Sequence, residues 1–221
     1  QVLLYLDRGG FYFYEMGRPN MLSMGFLSSS VRDLDVIDII SLESQIKTFV
    51  EQSKLVPGEI TIVISPNIIF EKDILITEVE KQKEAIDNFL ETIPFENVAS
   101  KIIPIEGGVK EIRVNEELYL SVKNGFEKLG SSVESVLPYH SLGTDTFLLN
   151  NLTVDSATLL LKKFDHLKQF SFLQNKPKVP ISSAANAQGE PLPKKSSVRL
   201  YVMVGIFSVL FVILGFMLLR K

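Results

Sequence analysis

Between Leu200 and Leu219 the chain runs LYVMVGIFSVLFVILGFMLL without a charge, with Arg199 before it and Arg220–Lys221 behind it. Twenty helical residues rise about 30 Å, the thickness of the hydrocarbon core of a bilayer. The polar groups within the run are the hydroxyls of Tyr201, at its rim, and Ser208. A serine hydroxyl can donate to a carbonyl one turn back, so its burial costs little. A core helix of a globular protein is usually shorter and keeps a polar stripe. The run therefore predicts a transmembrane helix with basic flanks over 198–221, and everything before it becomes a head on a stalk.

Charge divides the chain at the same place. Residues 1–175 hold 16 Lys/Arg against 25 Asp/Glu, a net charge of −9, whereas 176–221 hold 7 Lys/Arg and one acid, Glu190, a net charge of +6. The whole-chain value of −3 conceals this split. An acidic head argues against nucleic acid, since phosphate binding needs a basic face. A basic segment beside an apolar run is the composition of chain lying against anionic lipid, so the lipid bilayer is an expected partner. Residues 176–197, KPKVPISSAANAQGEPLPKKSS, contain four prolines and little to bury, and are expected to be a flexible Pro/Ser/Lys linker. There is no cysteine, hence neither a disulfide framework nor a thiolate metal site. The start, QVLLYLDRGG, lacks the basic n-region of a signal peptide. Lys194, Lys195 and Arg199 precede the apolar run and only Arg220 and Lys221 follow it. Positive-inside bias then predicts a single-pass protein of the inner (cytoplasmic) membrane with its N-terminal head in the cytoplasm.

Patterning gives the head an α/β organisation. Val2–Leu6, Phe11–Met16 and Met21–Ser28 are short runs separated by Asp7-Arg8-Gly9-Gly10 and Gly17-Arg18-Pro19-Asn20, which predicts an antiparallel meander. In the second run Phe11, Phe13 and Glu15 share one face and Tyr12, Tyr14 and Met16 the other; both faces are mostly apolar, so this strand is expected to be covered on both sides. Ser41 is the expected N-cap of a helix carrying Leu42, Ile46, Phe49 and Val50, closed by Pro57-Gly58. Glu59–Ser65 is rich in β-branched residues and ends at Pro66-Asn67. The order β-β-β-α-β over 1–67 opens a ribonuclease-H-like sheet. Residues 68–137 predict a unit of their own, β-α-β-β-α-β. It comprises a strand over 68–77, a helix over 79–93, a hairpin turning at Glu106-Gly107-Gly108-Val109, a helix over 116–129 capped by Asn115, and a strand over 132–137. Both helices are available to cover one face of that unit. Residues 138–175 are expected to close the head with an irregular loop and one amphipathic helix over 154–170.

Few residues offer catalytic chemistry. His140 and His166 are the only histidines, and they are expected to be a solvated loop residue and a helix-surface residue. No Gly-x-x-x-x-Gly-Lys-Ser/Thr loop occurs, and Gly9-Gly10 lacks the third glycine of a dinucleotide fingerprint. Asn151-Leu152-Thr153 matches a glycosylation sequon, which a cytoplasmic head makes a coincidence. No catalytic residue and no metal ligand is therefore assigned. One turn has chemical potential, Asp7-Arg8-Gly9-Gly10. Its backbone N–H groups could meet a phosphate while the carboxylate holds magnesium through water; equally, it could be a hairpin whose glycines supply positive φ.

The succession strand, Asp-x-Gly turn, strand, strand, helix, strand, followed by a small α/β unit, resembles the first half of actin-like proteins of bacterial membrane machines. These are the M component of type IV pilus assembly and the L component of type II secretion, with an actin-like cell-division protein more distant. Ile93-Pro94-Phe95-Glu96-Asn97-Val98, and Gly125-Phe126-Glu127-Lys128-Leu129-Gly130 leading into Ser135-Val136-Leu137-Pro138, are similar to stretches of the pilus family. The resemblance covers about residues 1–140. It implies an α/β fold with a partial actin-like (ribonuclease-H-like) sheet, an inserted subdomain, and Asp7, Gly9 and Gly10 as phosphate-loop residues for ATP and magnesium. Here Gly10-Phe11 stands where the family carries a small hydroxyl residue, and the family's second half has no counterpart between Leu137 and the linker. The combined expectation is a membrane-anchored, non-enzymatic scaffold without a cofactor, recruiting membrane or cytoplasmic components of an assembly complex. The alternatives are a nucleotide-dependent actin-like switch and an unrelated tail-anchored adaptor.

Overall fold

Three parallel strands and an antiparallel meander meet at β1 (Val2–Asp7), which sits in the middle of a five-stranded sheet. Its neighbours are β2 (Gly10–Glu15), β3 (Leu22–Gly25), β6 (Glu59–Ile64) and β10 (Ser132–Pro138), in the order β10-β6-β1-β2-β3. β1 and β10 run parallel to β6, while β2 runs antiparallel to both β1 and β3. The computed structural model describes residues 1–146 and 152–175; the predicted linker over 176–197, the predicted transmembrane helix over 198–221 and Asn151 lie outside the described residues. Among the described residues no helix is long and apolar enough to cross a membrane.

Strands buried on both faces read as near-continuous apolar runs, and VLLYLD and EITIVI do so because this sheet carries helices on both sides. One face, with Val2, Leu4, Leu6, Phe11, Phe13 and Ile62, packs against α1 (Ile39–Gln52) and α3 (Glu116–Glu127). The other, with Leu3, Tyr5, Tyr14 and Val63, packs against α4 (Val154–Leu161) and α5 (Phe164–Leu167). α3 lies close to α1 because residue 125 is glycine: a Cβ there would stand 2.6 Å from Ile46 Cδ1. β4 (Val31–Arg32) and β5 (Asp35–Val36) form a small hairpin through Asp33 and Leu34, both at positive φ.

The expected unit over 68–137 is divided by the structure. Only β7 (Ile69–Ile74), β8 (Val98–Ile105) and β9 (Gly108–Asn115) form a separate three-stranded sheet, in the order β7-β9-β8, with α2 (Val79–Glu91) between β7 and β8 in the chain. α3 and β10 return to the main sheet, with Val136 opposite Ile62. The physical reason is burial. Val133, Val136 and Leu137 of β10 need two covered faces, and Leu118, Val122 and Phe126 of α3 need the apolar side of α1. The helices therefore do not share one sheet, and the main sheet gains its fifth strand.

Three local expectations also shift. Asp38, not Ser41, caps α1, its carboxylate accepting the Ser41 N–H at 3.0 Å. The single helix expected over 154–170 breaks after Leu161, where the Lys163 N–H reaches the Leu160 carbonyl at 2.9 Å and Phe164 turns inward beside Leu161. On β2, Phe11 and Phe13 are buried on one face and Glu15 is half-buried, while on the other Tyr14 is buried and Tyr12 and Met16 are 46% and 42% exposed.

Candidate functional site

Parallel pairing of β1 with β6 brings their carboxyl ends together, with the Ser65 N–H donating to the Leu6 carbonyl at 2.9 Å. Crevices at the carboxyl ends of such strands are the usual ligand positions of open α/β sheets. Here an open cleft of about 610 Å³ is lined by Tyr5, Asp7, Tyr12, Met21, Leu22, Ser23, Pro66, Asn67 and Leu152. Among the described residues Asp7 is the one charged residue in that lining.

The Asp7 carboxylate is held in place. Ser65 Oγ donates to Asp7 Oδ1 at 2.5 Å, and Asn67 Nδ2 donates to the same oxygen at 3.0 Å. Ser65 is fully buried and also accepts the Asn67 N–H at 3.1 Å, capping a short 3-10 turn over Pro66–Ile68. Burial pushes the neighbouring Tyr5 hydroxyl above its ordinary range, and the Asp7 charge adds to the effect. Arg8 turns away to Asp33, at 3.5 Å, with both side chains in solvent.

The turn that follows Asp7 is a hairpin. Asp7 pairs with Gly10 as the last rung of the β1–β2 ladder, and the Gly9 carbonyl accepts the Phe26 N–H at 2.8 Å. Gly10 pairs in turn with Gly25, and a Cβ at residue 10 would fall 2.0 Å from the Met24 carbonyl oxygen. Glycine is required there so that β3 can approach. Phe11 points into the core, its ring centroid 5.2 Å from Phe49 and 5.6 Å from Phe126. Of the three residues singled out in the sequence, then, Asp7 lines the cleft, while Gly9 and Gly10 belong to the hairpin's backbone pairing. Tyr5, Tyr12, Ser65 and Asn67 were missed. The available signal was Ser65-Pro66-Asn67 directly after the most β-branched strand, which parallel pairing would set beside Asp7.

Two charged groupings occupy the three-stranded sheet. Glu111 is fully buried and Arg113 nearly so, with Nη2 of Arg113 2.8 Å from Oε1 of Glu111. Burial raises the Glu111 carboxyl and Arg113 draws it back only in part. On the opposite face Lys110 pairs with Asp73 at 2.7 Å and lies 3.9 Å from Glu71. His140, expected in solvent, instead packs against Glu71 with its side chain 13% exposed, beside Tyr139. Both side chains follow Pro138, the buried end of β10, and both reach Glu71 of β7. His166 is on the surface, as expected. No group of three or more His, Asp or Glu among the described residues is arranged to hold a metal ion.

No protein-family model and no curated protein matches the chain. Solved structures do. The "PilM-PilN type IV pilus biogenesis complex" is similar with a TM-score of 0.44 and 13% identity, over 64% of this chain and 48% of that one. The cytoplasmic domain of EpsL, an inner membrane component of the type II secretion system of Vibrio cholerae, gives 0.36 and 12%, over 63% and 57%. A Bacteroides thetaiotaomicron protein with an actin-like ATPase fold and unknown function gives 0.35 and 14%, over 67% and 55%. The chain spans about half the length of these structures. It resembles actin-like components of pilus and secretion machines, as its residue pattern implies.

Proposed function

We propose that this chain is a membrane-anchored, non-enzymatic scaffold of a pilus- or secretion-type assembly machine, whose cytoplasmic head recruits protein partners at the bilayer. The observation that carries the non-enzymatic part is the turn after β1. Its ends are paired in the ladder, its Gly9 carbonyl is taken by Phe26, and Phe11 is spent on the core. A phosphate-binding turn offers polar groups to the ligand; here the residue after Gly10 is Phe11, whose side chain is committed to packing against Phe49 and Phe126. The assembly-machine part follows the resemblance and the ordering of acidic head, basic linker and apolar run.

Equilibrium dialysis of the chain against magnesium-ATP tests the first part. The scaffold reading expects no saturable binding at millimolar nucleotide. The carboxylate in the cleft favours a second reading, a nucleotide-dependent switch completed by a partner chain, and saturable binding lost in Asp7→Asn would put that reading first. Placement is tested by reporter fusions at the N-terminus. The native chain should keep the reporter in the cytoplasm, and neutralising Lys194, Lys195 and Arg199 should scramble orientation.

A further inference from the structure

We infer that the cleft over Asp7 is a docking site for a lysine or arginine side chain carried by a partner protein. The inference deepens the scaffold reading and rests on it, because it supplies the chemistry by which the head would recognise a partner.

The sign of the cleft is the first reason. Among the described residues its lining holds one charge, the Asp7 carboxylate, and no Lys, Arg or His. Both hydrogen bonds to Asp7 fall on Oδ1, from Ser65 and Asn67, while Oδ2 accepts none among the described residues. The carboxylate is thus fixed in direction with one oxygen left for a cation, so little ordering entropy remains to oppose binding. The adjacent cation, Arg8, is turned to Asp33 and does not fill that role.

The remaining lining suits the rest of such a side chain. Tyr5 and Tyr12 lie with ring centroids 6.3 Å apart, and Tyr12 is exposed enough to offer its ring to an ammonium or guanidinium group. Met21, Leu22, Pro66 and Leu152 give an apolar wall for an aliphatic stem. At about 610 Å³ the cleft is larger than one side chain and leaves room for flanking backbone. A phosphate in the same place would face a carboxylate with no basic lining residue among the described residues beside it. The net charge of −9 over residues 1–175 steers cationic ligands toward the head and anionic ones away.

The test uses the full chain in an uncharged detergent and two dye-labelled probes, acetyl-Gly-Arg-Gly-Arg-Gly and acetyl-Gly-Glu-Gly-Glu-Gly, followed by fluorescence anisotropy at low salt. The arginine peptide should bind and the glutamate peptide should not. Asp7→Asn keeps an Oδ1 acceptor for Ser65 and Asn67, so the fold is retained, as an unchanged circular dichroism spectrum would show. It should weaken the arginine peptide up to about fivefold, the effect of losing one partly exposed ion pair. Tyr12→Ala should weaken it about two- to fivefold, whereas Tyr12→Phe, which keeps the ring, should not. Equal binding by Asp7→Asn would mean general attraction to an acidic surface and overturn the inference. So would displacement of the peptide by magnesium chloride alone, which would assign the carboxylate to a metal. Absence of peptide binding without nucleotide binding would remove this inference and leave the scaffold reading standing. Displacement by magnesium-ATP, lost in Asp7→Asn, would overturn both.

Discussion

The five-stranded and three-stranded sheets meet the demands of burial in opposite ways. In the larger sheet β1 and β6 are apolar on both faces, with Leu3, Leu4, Leu6, Ile60, Ile62 and Val63 buried between two helical layers. In the smaller sheet β7 exposes Glu71, Lys72 and Asp73 in succession, and β8 alternates along its length. Its buried charges are an ion pair, Glu111 with Arg113. Continuous apolar burial tolerates few alternatives to one packing. Buried charge depends instead on each partner being present, since the attraction must offset desolvation of both ions. The larger sheet is therefore held chiefly by shape, whereas the smaller one adds to the apolar burial of Ile112 and Val114 a dependence on charge pairing.

Breaking the pair should give the largest effect. Arg113→Met leaves Glu111 buried without its counter-charge and should cost about 3–5 kcal/mol, read by denaturant unfolding. Replacing both, Arg113→Met with Glu111→Leu, should recover most of that loss. If the double variant is no better than the single one, the small sheet is not organised by this pair. Shape in the larger sheet is probed by Ile62→Ala, which removes a side chain with no solvent exposure and should cost about 2–5 kcal/mol. Ile102→Ala in β8, where the side chain is 52% exposed, should stay within about 0.5 kcal/mol. Similar losses at the two positions would erase the contrast.

Asn115 joins the two regions and sharpens the comparison. It ends β9, caps α3 by accepting the Glu117 N–H at 2.9 Å, and donates to the Leu34 carbonyl at 2.9 Å. Asn115→Ala should cost about 1–2 kcal/mol, the upper range of a lost cap, while Asn115→Asp should keep the cap and lose only the bond to Leu34. Equal losses in the two variants would mean that the cap contributes nothing.

His140 gives the smallest effect. Burial pushes it below its ordinary 6.5, and the Glu71 and Asp73 carboxylates oppose this less strongly, with Lys110 acting in the same direction as burial. Below 6.5 the unfolded chain binds a proton that the native state resists. The contribution of neutral His140 is thus complete above that value and is lost as pH falls beneath it. Unfolding midpoints at pH 7 and 5.5 should fall further for the native chain than for His140→Asn; parallel slopes would contradict this.

Much of the fold could be read from residue patterns, because those patterns record local geometry. The hairpin at Glu106-Gly107, the cap at Asn115 and the meander of β1 to β3 are each signalled within a few residues. What sequence patterning did not reveal was partnership. Nothing local in Ser132–Pro138 distinguishes pairing with β6 from pairing with β7 or β8; the choice depends on which sheet has two helical layers to offer. The candidate site divides similarly. Asp7 is visible as a carboxylate at a strand end, but Ser65 and Asn67 acquire meaning only when β6 is set parallel to β1. Phe11 is a useful contrast: its bulk at the turn is visible in the sequence, and its inward direction follows from the β2 ladder.

The smaller sheet leaves and rejoins the main chain at one point, for Ile69 at its start is paired with Val114 near its end. Every strand pairing of that sheet is closed within residues 69–115, whereas Ser135 and Thr61, joined by a hydroxyl hydrogen bond at 3.2 Å, are 74 residues apart. Closing a loop costs entropy that grows slowly with its length, and long-range pairings form late. During synthesis β6 therefore waits with one edge open while the whole of the smaller sheet is made. That sheet can assemble first, and by bringing Ile69 and Val114 together it shortens the effective loop that β10 must close.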